Sequence, residues 1–282
     1  MVLYAFTPST TQGRHNVSLS KLATYRASTN PLALSAYPST STQPATIAVA
    51  DLMKSVSILT LTTPSSTATQ GEWGLTEVAR HFATLWSSAV TAIGENEWLV
   101  ADMEGNLVVL RRNVGGVTED DRKRLEVVSE GRLGEVVNTI MPIHAPCTTP
   151  ARERAGSSAM AVNGSVKPSG PVVVPKAFLA TVEGGVYMLG SISPAYQDLL
   201  MRLQNAVAGR TEAPGYMPWA KYRAFKTEVR EADEPYRLVD GEMIEMILGL
   251  DNDVLHDVCK ELGANVEVEE LTTMVEGLRR LH

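Results

Sequence analysis

Residues 97–110 read EWLVADMEGNLVVL: a β-rich run ending in Asp102, a polar turn over Met103, Glu104 and Gly105, and a second β-rich run starting at Asn106. Two apolar runs joined by turn residues form the signature of a β-hairpin. The same figure recurs at residues 45–61, ATIAVADLMKSVSILTL, and at residues 177–189, AFLATVEGGVYML. Asp51 and Asp102 fall at matching places in the first two copies. That repetition assigns them to turn capping rather than to a catalytic carboxylate pair, because aspartate side chains commonly bond the turn backbone.

Strands flank each hairpin in a constant order. LATY (22–25), TEVAR (76–80) and RLEVV (124–128) precede LALSA (32–36), SAVTAI (88–93) and VVNTI (136–140) respectively. The first two hairpins lie roughly fifty residues apart, the period of a four-stranded propeller blade. The third interval is longer, but it contains a loop-like insert, residues 146–171, rich in Ser, Thr, Gly, Pro and Ala. An insert so poor in large apolar residues buries too little surface to offset its ordering entropy, and it is expected to be mobile. A β-sandwich is the other arrangement open to short strands; the period decides for the propeller. Closed propellers have about 4–8 blades. The fold class predicted is therefore mainly β, a partial β-propeller of about three to four blades over residues 1–192, which reads as part of a ring. MVLYAF at residues 1–6 reads as a strand, as if the chain began inside the fold.

Beyond residue 192 the period changes to that of helices. Ser193 and Pro194 have the character of a helix start, Leu199, Leu200, Leu203 and Val207 mark one face, and Gly209 is a stop signal. Further helices are predicted near residues 218–225, from a cap at Asp240, over 253–262 and over 269–281. Residues 193–282 thus form a small α-helical C-terminal domain.

The chain has 282 residues, 25 Lys and Arg against 32 Asp and Glu, and a net charge of -7. This balance disfavours direct binding of nucleic acid, which calls for a basic face. No apolar run reaches the length of a membrane span, so no membrane partner is expected. The two cysteines, Cys147 and Cys259, and the five histidines are scattered without metal-ligand spacing. There is no phosphate-cradling glycine loop and no nucleophile elbow; Gly115-Gly116 and Gly184-Gly185 read as turns. The expectation is a non-catalytic protein with no metal and no cofactor.

Several segments resemble one family. VADLMKSV (49–56), EVARHF (77–82) with WSSAV (86–90), RLGEVVN (132–138), YQDLLMRLQN (196–205) and VDGEMIE (239–245) are similar, in order, to the last propeller and tail of the damage-specific DNA-binding protein 1 family, the adaptors of cullin-4 ubiquitin ligases. The wider superfamily includes the large subunit of the mRNA cleavage and polyadenylation factor and a splicing-factor propeller protein. WSSAV and the TEDDR run (118–122) look more like the ligase adaptor. The resemblance implies a protein-interaction scaffold whose partners are substrate-receptor proteins of a cullin-4 ligase and the rest of the propeller scaffold. Nucleic-acid contact would be indirect or weak, and location nuclear with a cytoplasmic pool. An RNA-processing scaffold is the alternative it leaves open.

Position by position, the family's receptor-contacting surface matches Leu32, Leu34, Leu52, Lys54, Trp86, Val136, Asn138 and Val182. Taken without the family, Leu32, Leu34, Val136 and Val182 read as ordinary blade core. Lys54 stands where the family commonly has arginine, Val136 where it has a larger aromatic, and Ser35 where an aromatic is typical. The resemblance therefore implies a shallower receptor pocket.

Overall fold

A computed structural model of the chain describes residues 1–11, 14–39, 44–63, 73–143, 170–211, 215, 217–263 and 266–281. The thirteen strands among them are β1 (Val2–Thr11), β2 (Arg14–Thr24), β3 (Pro31–Tyr37), β4 (Thr46–Asp51), β5 (Ser55–Thr62), β6 (Gly74–Arg80), β7 (Ser87–Gly94), β8 (Glu97–Asp102), β9 (Asn106–Arg112), β10 (Leu125–Arg132), β11 (Val137–Pro142), β12 (Val173–Thr181) and β13 (Val186–Ile192). They form two four-stranded meanders, β3-β4-β5-β6 and β7-β8-β9-β10, a three-stranded sheet β11-β12-β13, and a two-stranded hairpin β1-β2. The pairings within the hairpin and the two meanders are all antiparallel. The fold is thus a partial propeller with two complete blades. Most of the insert, residues 146–169, lies outside the described residues.

The chain divides into two compact units: Met1–Met141, Leu179–Tyr187 and Met217–Leu238 in one, and Pro142–Phe178, Met188–Tyr216 and Val239–His282 in the other. In the first unit, residue parity builds the core. Alternate residues of a strand face opposite sides, so Ala48, Ala50, Val56 and Ile58 of the first meander meet Val90, Trp98, Val100, Val108 and Leu110 of the second in one buried cluster. Val49 and Leu59 point the other way and pack with Tyr25 and Met1. Because both faces of these strands are covered, β4 and β8 read as continuous apolar runs.

The first strands of successive sheets lie side by side, as a radial arrangement requires. The amide of Ala92 on β7 donates to Ser35 Oγ on β3 at 3.4 Å, and Ser35 Oγ lies 3.4 Å from Thr91 Oγ1. Ser88 Oγ on β7 in turn donates to the Val137 carbonyl on β11 at 3.1 Å. Ser35 thus links two inner strands.

Residues 217–238 form a strap against the second meander. It opens with a short helix, Trp219–Arg223, and continues to an antiparallel bridge between Tyr236 and Glu130. Asn106 Nδ2 donates to the Lys226 carbonyl at 2.8 Å, and the Lys226 amide donates back to Asn106 Oδ1 at 3.0 Å. Arg230 pairs with Glu130 and lies over the Phe225 ring at 4.1 Å.

In the second unit, helix Pro194–Ala208 buries Leu200, Leu203 and Val207, and packs on helices Gly241–Glu245 and Asn252–Leu262. Gln204, buried on the same face, accepts the Asp240 amide at 2.6 Å through its side-chain oxygen. Arg202 donates to the Leu262 carbonyl at 2.8 Å, capping the second of those helices. The last helix is Val268–Arg279. Two start and stop signals act differently from their sequence reading. Ser193 is the N-cap residue but makes no side-chain cap bond; its hydroxyl donates to the Pro171 carbonyl instead. Gly209 has φ -71°, which any residue adopts, so its glycine freedom is unused there.

Candidate docking surface on the blade ends

Asp51 closes the β4–β5 turn. Its carboxylate accepts the amides of Met53 at 2.9 Å, Thr29 at 2.6 Å and Asn30 at 3.1 Å. Burial would raise this carboxyl, but those amides hold it below its ordinary range. Asp102 does the same for the β8–β9 turn, accepting from Glu104 and Asn106 amides at 3.0 and 2.7 Å. Its deeper burial wins, and its pKa is raised against the pull of Asn106. In the third sheet Thr181 takes the place of aspartate: its hydroxyl accepts the Gly185 amide at 2.8 Å and donates to Glu135 at 2.6 Å. The aspartates are turn caps, as their matching positions require.

One residue past each cap the backbone repeats a second bond. Leu52 N–H donates to the Asn30 carbonyl at 3.0 Å, Met103 N–H to Trp86 at 2.9 Å, and Val182 N–H to Val136 at 2.9 Å. Each bond ties a β-turn to the segment entering the first strand of the same sheet. The turns and entry segments of three successive sheets therefore present equivalent ends.

Every residue matched to the receptor-contacting surface lies at or near these ends. Leu52 and Lys54 are on the first turn and Val182 on the third; Trp86 and Val136 enter their sheets. Leu32, Leu34 and Asn138 continue along the first strands β3 and β11. Leu34 is 56% exposed, Trp86 41% and Val182 68%; Leu32 and Asn138 are also exposed, while Leu52 and Val136 are half-buried. The blade-core reading of Leu32, Leu34 and Val182 is therefore corrected. The first and last strands of a meander have partners on one side only, and the turn lies beyond the packed sheets, so apolar residues there stay in water. Lys54, exposed, has a local partner: its Nζ donates to the Ala27 carbonyl at 2.5 Å.

Met103 was not singled out in the sequence, yet it is the counterpart of Leu52 and Val182 in the middle sheet and is 45% exposed. The signal was available in the repeat, since Met103 follows Asp102 as Leu52 follows Asp51. Its turn is held by Gly105, at φ +81°, where an added Cβ would lie 3.1 Å from the Glu135 amide nitrogen and the Gly134 carbonyl carbon. Both the Leu133 and Gly134 amides donate to the Gly105 carbonyl.

Other chemistry is sparse at these ends. A buried Ser55–His81 pair, Oγ to Nδ1 2.8 Å, lies beneath them, but Ser55 is fully enclosed and out of reach of a substrate. Among the described residues no three His, Cys, Asp or Glu side chains gather as a metal site, and no helix is long and apolar enough to cross a membrane.

Blades packed side by side through their first strands, with apolar side chains on equivalent turns, define a β-propeller scaffold. Residues 13–249 match the model of the CPSF A subunit region. The chain belongs to that family. It is 33% identical over 236 residues to DNA damage-binding protein 1a of Arabidopsis thaliana, covering 84% of this chain and 19% of that protein. DNA damage-binding protein 1 of rice, Oryza sativa subsp. japonica, is 30% identical over the same share, and that of Schizosaccharomyces pombe 26% identical over 240 residues. The chain thus spans about a fifth of the length of the curated relatives it matches.

Proposed function

We propose that the chain is a non-catalytic docking module of a cullin-4 ubiquitin ligase adaptor, working in the nucleus with a cytoplasmic pool, in a protein concerned with DNA damage. Leu32, Leu34, Leu52, Lys54, Trp86, Val136, Asn138 and Val182 form the surface that takes substrate-receptor proteins. Met103 completes the row. Residues 193–282 act as the adaptor's helical C-terminal domain, and nucleic acid is reached only through a bound receptor.

The observation that carries this reading is the repetition of one apolar residue at the equivalent turn of three successive sheets: Leu52, half-buried, and Met103 and Val182, both exposed. Isolated exposed apolar residues need no explanation, but a row of them beside a half-exposed tryptophan is what an interface core looks like. Lys54 and Asn138 flank the row as polar anchors. Hot spots at such surfaces are often worth 2 kcal/mol or more on truncation. Trp86→Ala is therefore expected to weaken receptor binding about thirtyfold or more, measured by calorimetric titration with a purified cullin-4 receptor. Unchanged affinity in both Trp86→Ala and Met103→Glu would remove the assignment.

A further inference from the structure

The tip of the strap stands beside the middle docking turn. Residues 226–231 fold back on themselves: Lys226 bridges Glu231, the Thr227 amide donates to the Arg230 carbonyl at 2.7 Å, and the Arg230 amide donates back to Thr227 Oγ1 at 3.0 Å. Glu228 and Val229 are left as the two tip residues. Short tips of this kind ordinarily carry glycine, asparagine or aspartate. Valine serves neither the backbone geometry nor contact with water, yet Val229 is 79% exposed.

Neighbouring groups hold the tip in place. The Glu228 amide donates to Glu104 Oε1 at 2.9 Å, and Glu104 is the neighbour of Met103 in the β8–β9 turn. At the base, Lys226 exchanges two bonds with Asn106, and Arg230 pairs with Glu130 over the Phe225 ring, which is buried in the main core cluster. Glu104, Asn106 and Glu130 are thus positioning residues. The valine is presented on a turn already ordered in the free protein, so a contact there loses little further entropy.

The free charge at the tip is negative. Arg230 is engaged with Glu130, and Lys226 with Glu231, which Lys221 also pairs. The Glu228 carboxylate is exposed and has no ion pair among the described residues, and Glu104 brings a second carboxyl close to it.

We infer that the Glu228–Val229 tip is a second arm of the docking surface. It meets the same receptor that covers Met103, taking an apolar side chain against Val229 and a neighbouring lysine or arginine against Glu228 and Glu104. A receptor with that apolar–basic pair is held more tightly than one without it. This inference rests on the docking reading of the turn ends and adds a specificity determinant from a segment outside the blades.

The test is calorimetric titration of a purified cullin-4 receptor into the full chain and its variants. Val229→Ser is expected to weaken binding about tenfold. Glu228→Gln is expected to weaken it about threefold at low salt, and to leave an affinity that falls less steeply as salt rises. Both side chains are exposed, so the Tm and the hydrogen exchange of residues 226–236 are expected to match the parent chain. Trp86→Ala is measured beside them. If Trp86→Ala weakens binding while both tip variants keep the parent affinity and salt dependence, the inference fails alone. If all three bind as the parent does, the docking reading fails and takes the inference with it. An affinity loss in Val229→Ser that comes with faster exchange at residues 226–236 would also overturn the inference, since Val229 would then be holding the strap.

Discussion

Gly105 is the residue on which the middle turn depends. Its backbone lies at φ +81°, and a methyl group would press on the Glu135 amide and the Gly134 carbonyl carbon. Gly105→Ala is expected to cost roughly 1–3 kcal/mol in urea unfolding, and Gly115→Ala, where nothing lies within 4 Å, to cost far less. Equal effects would mean that the turn relaxes freely. His81 offers a second test at this scale. Burial holds its imidazole below the ordinary range, and the nearby Arg230 charge adds to this against Glu130. An imidazole that resists protonation only when folded stabilises the fold fully above its unfolded pKa of about 6.5, and that stability drains away as pH falls through the folded value. The chain is therefore expected to lose stability between about pH 7 and 5, and His81→Gln, which keeps a partner for Ser55, to flatten that slope in pH-dependent denaturation. A slope unchanged by the substitution would show that His81 is as easily protonated folded as unfolded.

Elements differed in how much their residues declared. The β4–β5 and β8–β9 hairpins were legible because buried apolar runs end in aspartates that cap turns, and both signals are local. The helix Glu119–Arg122 was not, although Thr118 and Asp121 form a reciprocal capping box, since four residues hold no apolar period. β1 and β2 run longer than their sequence indicated, because serines and threonines give no contrast between faces. Residues 217–238 were read for one helix only. Their place on the second meander comes from contacts about a hundred residues apart, Arg230 with Glu130 and Lys226 with Asn106, which no local pattern carries. Asn106→Ala removes both bonds to Lys226 and one to Asp102. It is expected to cost about 1–3 kcal/mol and to speed hydrogen exchange in residues 226–236. Unchanged exchange there would show that the strap is held by its other contacts, among them Arg230 with Glu130 and the Glu228 amide with Glu104.

At the scale of the molecule, the period of about fifty residues located the blades, and the family resemblance supplied the residues proposed here to face a receptor. What neither supplied was exposure. Leu32, Leu34 and Val182 have core composition, and only the register and the sheet order place them in water. The same sheet order leaves the β1-β2 hairpin with a bare apolar side. The central claim, that the turn ends are where proteins dock, is most directly tested by site-specific photocrosslinking in cells. A photoreactive phenylalanine at position 103 sits in the row of apolar turn residues; one at position 117 sits at the far end of β9, where Val117 is 92% exposed. The account predicts covalent adducts with cullin-4 receptor subunits from position 103 and none from 117. Adducts from 117 with none from 103 would contradict it.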